Sequence, residues 1–278
     1  MATYVLVHGA WHGAGHWQPL TGILEAAGHR VVAPDLPGCG RLAMVPGSYL
    51  ARDWAAFEAE RSPLAGITLA DWAQAVRHAV RTAPPRAEPV VLVAHSLGGL
   101  PSTLAAEAAP DRVARLVYLT AHCVTGRRNA LGYFQLPENG PALTSDLQIG
   151  DPAAIGAVRI NPRHPDPRYA DLLRAGFCGD APASAAARWL TALTPDLPVR
   201  VVLDEAGGTP QRWGSVPRTF VRCTGDQAFP VALQDLMIRE ANAVTPGNPF
   251  AVESLDSGHS PFLSRTAEVA DLLLALAP

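Results

Sequence analysis

Lysine is missing from this 278-residue chain, so all 22 of its basic residues are arginine. Without an amine side chain there is no Schiff-base nucleophile and no lysine-bearing phosphate loop, and pyridoxal-phosphate chemistry goes with them. Charge is also sparse: 17 % of residues are charged and the formal net charge is -3. A protein that grips a phosphate backbone is normally basic, so nucleic acid is excluded as a partner. The four cysteines, Cys39, Cys123, Cys178 and Cys223, form no C-x-x-C pair, which leaves no zinc or redox motif. Their wide spacing, in a chain long enough to bury a large core, predicts reduced, partly buried thiols. Long apolar runs are absent too. The longest, Leu272–Ala277, falls far below the roughly 20 residues that span a bilayer. The first residues carry neither the basic segment nor the apolar stretch of a secretory signal, and the expectation is a cytoplasmic protein that avoids membranes. Proline and glycine are frequent, 26 and 24, but aperiodic, which excludes a collagen-like repeat.

What is present reads as alternating strands and helices. Tyr4–Val7, Arg30–Ala33, Pro89–Ala94, Ala114–Leu119, Thr219–Cys223 and Pro249–Leu255 are short apolar or β-branched runs and are expected to be strands. Gln18–Ala27, Leu69–Thr82 after the Thr68 cap, Leu97–Ala109 and Pro261–Ala277 are expected to be helices. This order predicts an α/β fold, a mostly parallel sheet with helices on both faces. Two segments interrupt it. Arg41–Gly66 is a long connection with one expected short helix around Asp53–Glu60. Ala121–Val216 is longer, with helices expected near Arg168–Gly176 and Ala183–Leu193, and a segment of that length is usually functional. The division is therefore a core of residues 1–120 and 217–278, with residues 121–216 inserted as a cap, or lid.

Three stretches carry chemistry. VVLVAHSLGGL, residues 90–100, runs a buried strand into a turn and then a helix, with Ser96 at the turn. This is the G-x-S-x-G nucleophile elbow with Ala94 in the first glycine position. The strained turn exposes the serine hydroxyl, and the helix that follows aims free N–H groups at the same point. The second stretch, VHGAWHGAG after the first strand, offers a further donor, and the N–H groups of Ala10 and Leu97 are the candidate oxyanion hole. His8, His12 and His16 recur every four residues in this region. That spacing aligns metal ligands only on a helix, and the glycines argue against one. The third stretch, LDSGHSPFL, places His259 between the last strand and the last helix, where a base can reach Ser96 across the top of the sheet. The orienting acid belongs after an earlier strand, and Asp226 in RCTGDQAFP fits. The order is then Ser96, Asp226, His259. Asp256 competes but lies three residues from His259, where turn or capping work is the simpler role. Asp35, in DLPG, reads as turn chemistry.

With these residues in view, the chain resembles α/β-hydrolases of the plant methylesterase and hydroxynitrile-lyase group and their bacterial relatives. The resemblance spans nearly the whole chain, through YVLVHGAWHGAGHW, ILEAAGHRVVAPDLPG, VVLVAHSLGG, RWGSVPRTFVRCTGDQAFP and SGHSPFL. It implies an α/β-hydrolase fold with a six-stranded parallel sheet and a helical cap over the pocket. It also implies Ser96, Asp226 and His259 as the triad, Ala10 and Leu97 as oxyanion donors, and no cofactor or metal. Lyases of this group carry Thr after the first-strand His and Lys after the catalytic His. Here those positions are Gly9 and Ser260, so a leaving cyanide has no cation to stabilise it, which favours an esterase.

The expected activity is cleavage of a carboxylic ester with a small hydrophobic or aromatic acyl group, or of a methyl ester, through an acyl-enzyme. A non-hydrolytic triad enzyme (C–C lyase or acyltransferase) and a non-catalytic ligand receptor on the same fold are the alternatives. Trp11, His122, Phe134 and Trp189 are candidate substrate-binding walls, with Cys123 and Trp213 beside them, although Cys123 lacks a base and reads as structural. Arg127 and Arg128 read as a solvated pair. The Arg41–Gly66 connection has two open roles, shaping the pocket mouth or joining two copies in a homodimer.

Overall fold

Strands that are apolar at every position must be covered on both faces, and the path of the chain supplies that cover. The computed structural model describes residues 1–84 and 88–277. Eight strands occur among them: β1 (Thr3–Val7), β2 (Arg30–Val32), β3 (Val90–Ser96), β4 (Val113–Ala121), β5 (Ala157–Arg159), β6 (Asp196–Pro198), β7 (Arg218–Cys223) and β8 (Ala251–Leu255). Six of them form one sheet in the order β2-β1-β3-β4-β7-β8, with every neighbouring pair parallel. β1 and β3 are buried along their whole length, as a central parallel strand requires.

The order also fixes where the helices go. From β1 the chain steps one way to β2, then crosses back over β1 to β3. Right-handed crossovers in opposite directions put their helices on opposite faces. Helix Gln18–Ala26 accordingly packs with helix Thr266–Ala275, while Leu69–Thr82 packs with Gly99–Ala108. The reversal between β1 and β3 leaves a crevice beyond their carboxyl ends, where ligands bind in open α/β sheets.

Helix Leu69–Thr82 shows how local sequence sets an element. Thr68 accepts from the Asp71 N–H while Asp71 accepts from Thr68, a reciprocal cap. Leu69, Trp72, Ala73, Val76 and Val80 then bury one face.

Several expectations need correction. The closing helix is two helices, Pro261–Ser264 and Thr266–Ala275, broken at Arg265. Val231–Val244, a segment between β7 and β8 without an expected element, is a helix that buries Leu233, Met237, Ile238 and Ala241. The insertion between β4 and β7 holds the two expected helices, as Pro167–Cys178 and Ala183–Thr191, and also a small antiparallel sheet of β5 and β6. The 41–66 connection holds Trp54–Ala59, capped by Asp53, with a further short helix, Gly47–Ala51.

That connection is keyed to the insertion by one buried arginine. Arg159, on β5, forms a two-pronged ion pair with Asp196 on β6, at 2.7 and 2.8 Å. Its remaining nitrogen donates to the carbonyls of Phe57 and Glu60 in the connection, and its guanidinium lies 4.4 Å from the centre of the Phe57 ring.

Candidate active site

Ser96 ends β3 with φ +52°, a left-handed backbone that non-glycine residues seldom adopt. The helix that follows begins at Gly99, so chain and dipole turn at the serine. The tightness of the turn explains Gly98, where a Cβ would lie 2.5 Å from the His8 carbonyl oxygen. Ala94, two residues before the serine, is fully buried and its methyl is accommodated.

The first-strand loop lies directly beside it. At Gly9 a Cβ would stand 2.6 Å from the Ser96 Cβ. His8 bonds at Nδ1 to the Gly9 carbonyl, and its Nε2 accepts from the Leu36 N–H at 3.1 Å. His12 bonds to the Ala10 carbonyl at 2.5 Å, and His16 to the Gly13 carbonyl at 3.2 Å. The three histidines thus bond backbone groups, those of their own loop and, for His8 and His16, of Leu36 and Trp189 as well. Among the described residues, the N–H groups of Ala10 and Leu97 have no backbone or side-chain acceptor, and both residues line one cavity with Ser96.

The acid and the base meet across the carboxyl ends of β7 and β8. His259 Nδ1 and Asp226 Oδ2 are 2.6 Å apart, both side chains buried. The other oxygen, Oδ1, accepts from the N–H groups of Ala228 and Phe229, each at 2.8 Å. Asp226 is therefore held on both oxygens. Asp256 is exposed, and its backbone carbonyl accepts from Arg265.

Three positioning groups escaped the sequence reading. Thr120 donates its hydroxyl to Asp226 Oδ2 at 2.6 Å. The β3–β4 register pairs His95 with Leu119 and Ser96 with Ala121, so Thr120 is an extra residue, a bulge with φ +40°. Bulges beside sites re-aim a side chain, and this one turns Thr120 toward the acid. His95 Nε2 bonds to the carbonyl of His259 at 2.8 Å. Burial, reinforced by His259, pushes the His95 ring well below the ordinary imidazole range, so it is a neutral donor there. Asp180, at the end of helix Pro167–Cys178, accepts from the Ser257 hydroxyl at 2.9 Å and the Gly258 N–H at 3.0 Å. It ties the insertion to the loop that carries His259.

The cavity has a volume of about 410 Å³. Ser96, Leu97, Ala10 and His259 line it, together with Leu131, Phe134, Val158, Phe177, Leu197 and Val202 from the insertion. Trp11, His122 and Phe134 line it. Trp11 has φ +61°, and its indole N–H donates to the Val158 carbonyl at 3.1 Å. Trp189 does not line the cavity. Its ring packs 4.6 Å from His12 and 4.8 Å from His16, which makes it core between the insertion and the first-strand loop. Trp213 donates to the Tyr118 hydroxyl in the interior. Cys123 is buried, and burial raises its thiol to about 12, which fits a structural residue. Among the described residues no arginine lines the cavity, and the one carboxylate that does, Asp151, is exposed.

The sequence profile of the alpha/beta hydrolase family matches residues 4–272. Methylesterase 1 of Arabidopsis thaliana is 27 % identical over 99 % of this chain and 95 % of its own length. A putative chloroplastic methylesterase 11 of the same plant is 28 % identical over 99 % of this chain, which spans 63 % of that protein. Among solved structures, polyneuridine aldehyde esterase superposes with a TM-score of 0.76 at 24 % identity, covering 99 % of both chains. A pyrethroid hydrolase from Sphingobium faniae superposes at 0.75, also at 24 % identity, covering 99 % of this chain and 96 % of that one. At that identity the two superpositions speak for the fold alone.

Proposed function

The chain belongs to the alpha/beta hydrolase family, and within it we propose a serine hydrolase that cleaves neutral carboxylic esters with an apolar acyl or alcohol part. The observation that carries this reading is the buried 2.6 Å contact between His259 and Asp226, with His259 opening onto the cavity that also holds Ser96. Ser96 Oγ attacks the ester carbonyl, and His259 takes its proton and returns it to the leaving alcohol. Asp226 holds the imidazole tautomer and stabilises the imidazolium. The Ala10 and Leu97 N–H groups receive the oxyanion, each worth about 3 kcal/mol in the transition state. Water then releases the acid from the acyl-enzyme.

The relatives' names, methylesterases and a probable esterase, support the same chemistry. A mostly apolar cavity, lined by no arginine among the described residues, suits a neutral substrate. Residues 121–216 act as its cap. Gly9 and Ser260 speak against a lyase. A threonine at position 9 would place its Cβ 2.6 Å from that of Ser96, and Ser260 is fully buried and uncharged. Four unpaired, buried cysteines suit a reducing, cytoplasmic setting. Exposed Leu42, Met44 and Leu50 on the 41–66 connection suit a contact between two copies, a homodimer.

The test is product analysis on a panel of methyl, aryl and lactone esters, with and without an added alcohol. Hydrolysis that falls at least about a thousandfold in Ser96→Ala is expected. Turnover retained by that variant, or transfer to the alcohol in place of hydrolysis, overturns the reading.

A further inference from the structure

His122 follows β4, and its backbone N–H donates to the Ser96 carbonyl at 3.0 Å, which places the residue beside the nucleophile. Its ring stacks on Phe229 at 4.2 Å and meets the edge of Phe134 at 5.4 Å. It is buried, yet it lines the cavity. Nδ1 is shut off from solvent without a partner, whereas Nε2 is not shut off and, among the described residues, bonds to no protein atom, so it is the ring nitrogen open to the cavity. Burial, followed by the nearby His259, lowers its pKa to about 3, so the ring is neutral and offers one donor and one acceptor.

A phenylalanine or leucine would fill this place between two aromatic rings without the penalty of a buried, unpaired polar group. An imidazole kept there gains only when something in the cavity bonds to it. Of the other polar side chains lining the cavity, Asn139 donates an amide N–H to the Phe134 carbonyl at 3.1 Å, while Thr144, Ser145 and Gln148 lie in the insertion.

We propose that His122 is a specificity-determining residue whose ring hydrogen-bonds a hydroxyl or carbonyl oxygen carried on the carbon α or β to the scissile carbonyl. The preferred substrates are then neutral esters with one such oxygen next to an apolar group, rather than plain hydrocarbon esters. This rests on the ester-hydrolase reading and adds the substrate class.

The probes are methyl 3-hydroxy-3-phenylpropanoate and methyl 3-phenylpropanoate, which differ by one hydroxyl. Binding to the Ser96→Ala protein is measured by calorimetry, so no turnover is needed. The hydroxy ester is expected to bind about tenfold tighter, the worth of one hydrogen bond to a neutral ring nitrogen. In Ser96→Ala/His122→Phe, which keeps the aromatic stack, the two esters should bind within twofold. A second readout avoids the double variant. With ¹⁵N-labelled histidine in the Ser96→Ala protein, the His122 ring nitrogens should shift with the hydroxy ester and not with its partner. Equal binding of the two esters, a preference that survives His122→Phe, or no binding of the hydroxy ester overturns the inference. Turnover by the unaltered protein is scored separately. Discrimination in binding without any hydrolysis counts against the ester-hydrolase reading, and hydrolysis without discrimination counts against the role of His122.

Discussion

Thr120 and His259 bond to the same oxygen of Asp226, Oδ2, each at 2.6 Å. Two donors on one carboxylate oxygen, with two backbone N–H groups on the other, hold the acid in a single orientation. Thr120→Val should lower kcat about 10- to 100-fold with little change in KM, and Thr120→Ser should restore most of it, because the lost function is one hydroxyl donor. Asp226→Asn should cost about 10⁴ in kcat through the wrong tautomer, while Asp256→Asn should stay near the starting rate. Steady-state kinetics on one ester decides this. A Thr120→Val enzyme within twofold of the parent, or a greater loss in Asp256→Asn than in Asp226→Asn, contradicts the assignment.

A second expectation concerns the contact between the first-strand loop and the nucleophile. Gly9→Ala brings a methyl within 2.6 Å of Ser96 Cβ, while at Gly15 a Cβ meets nothing within 4 Å. Since a displacement of roughly 1 Å can cost a hundredfold, Gly9→Ala should lose at least about that much in kcat/KM. Gly15→Ala, in the same loop, should keep its activity. Equal rates in the two variants would show that the close approach is not what keeps position 9 a glycine.

The buried pair of Arg159 and Asp196 should behave as a structural key. Arg159→Met leaves Asp196 as an uncompensated buried charge, which typically costs about 3–5 kcal/mol. Urea unfolding should show that loss, and adding Asp196→Leu should recover much of it. Recovery matters because Val158 and Leu197, next to the pair, both line the cavity. A single variant as stable as the parent contradicts the role.

The buried histidines predict a pH dependence of stability. Burial lowers His8 to about 4 and His122 to about 3. In the unfolded chain both titrate near the ordinary ~6.5, so between about pH 6.5 and 4 the unfolded state binds more protons. Stability is then fully present above pH 6.5 and falls as pH drops, by about 1.4 kcal/mol per pH unit for each such group. His122→Phe should make the slope shallower by about one proton. Urea midpoints across this range check it, and an unchanged slope contradicts it.

How much of this was legible follows from what sequence encodes locally. Ser96, His259 and Asp226 stand at strand ends in motifs whose spacing is set by the sheet, and the structure brings the acid and base together and opens the serine onto the same cavity. Thr120 gave no such signal, because a bulge depends on the register between two strands, which one strand's sequence does not state. β5 and β6, three residues each, are too short to show a period. Trp189 read as a pocket wall because its helix lies in the insertion, but which face of a helix meets the cavity is a tertiary outcome. Helix Val231–Val244 was readable. Two adjacent parallel strands need a crossover, and its apolar positions recur at helical spacing.

The central claim is that Ser96 is an activated nucleophile served by His259 and Asp226. Its most direct test is the intact mass of the protein after exposure to a fluorophosphonate, followed by peptide mapping. The expected result is a single adduct on Ser96, absent in Ser96→Ala and strongly slowed in His259→Ala. No adduct on the folded protein, an adduct on another residue, or undiminished labelling in His259→Ala contradicts the account.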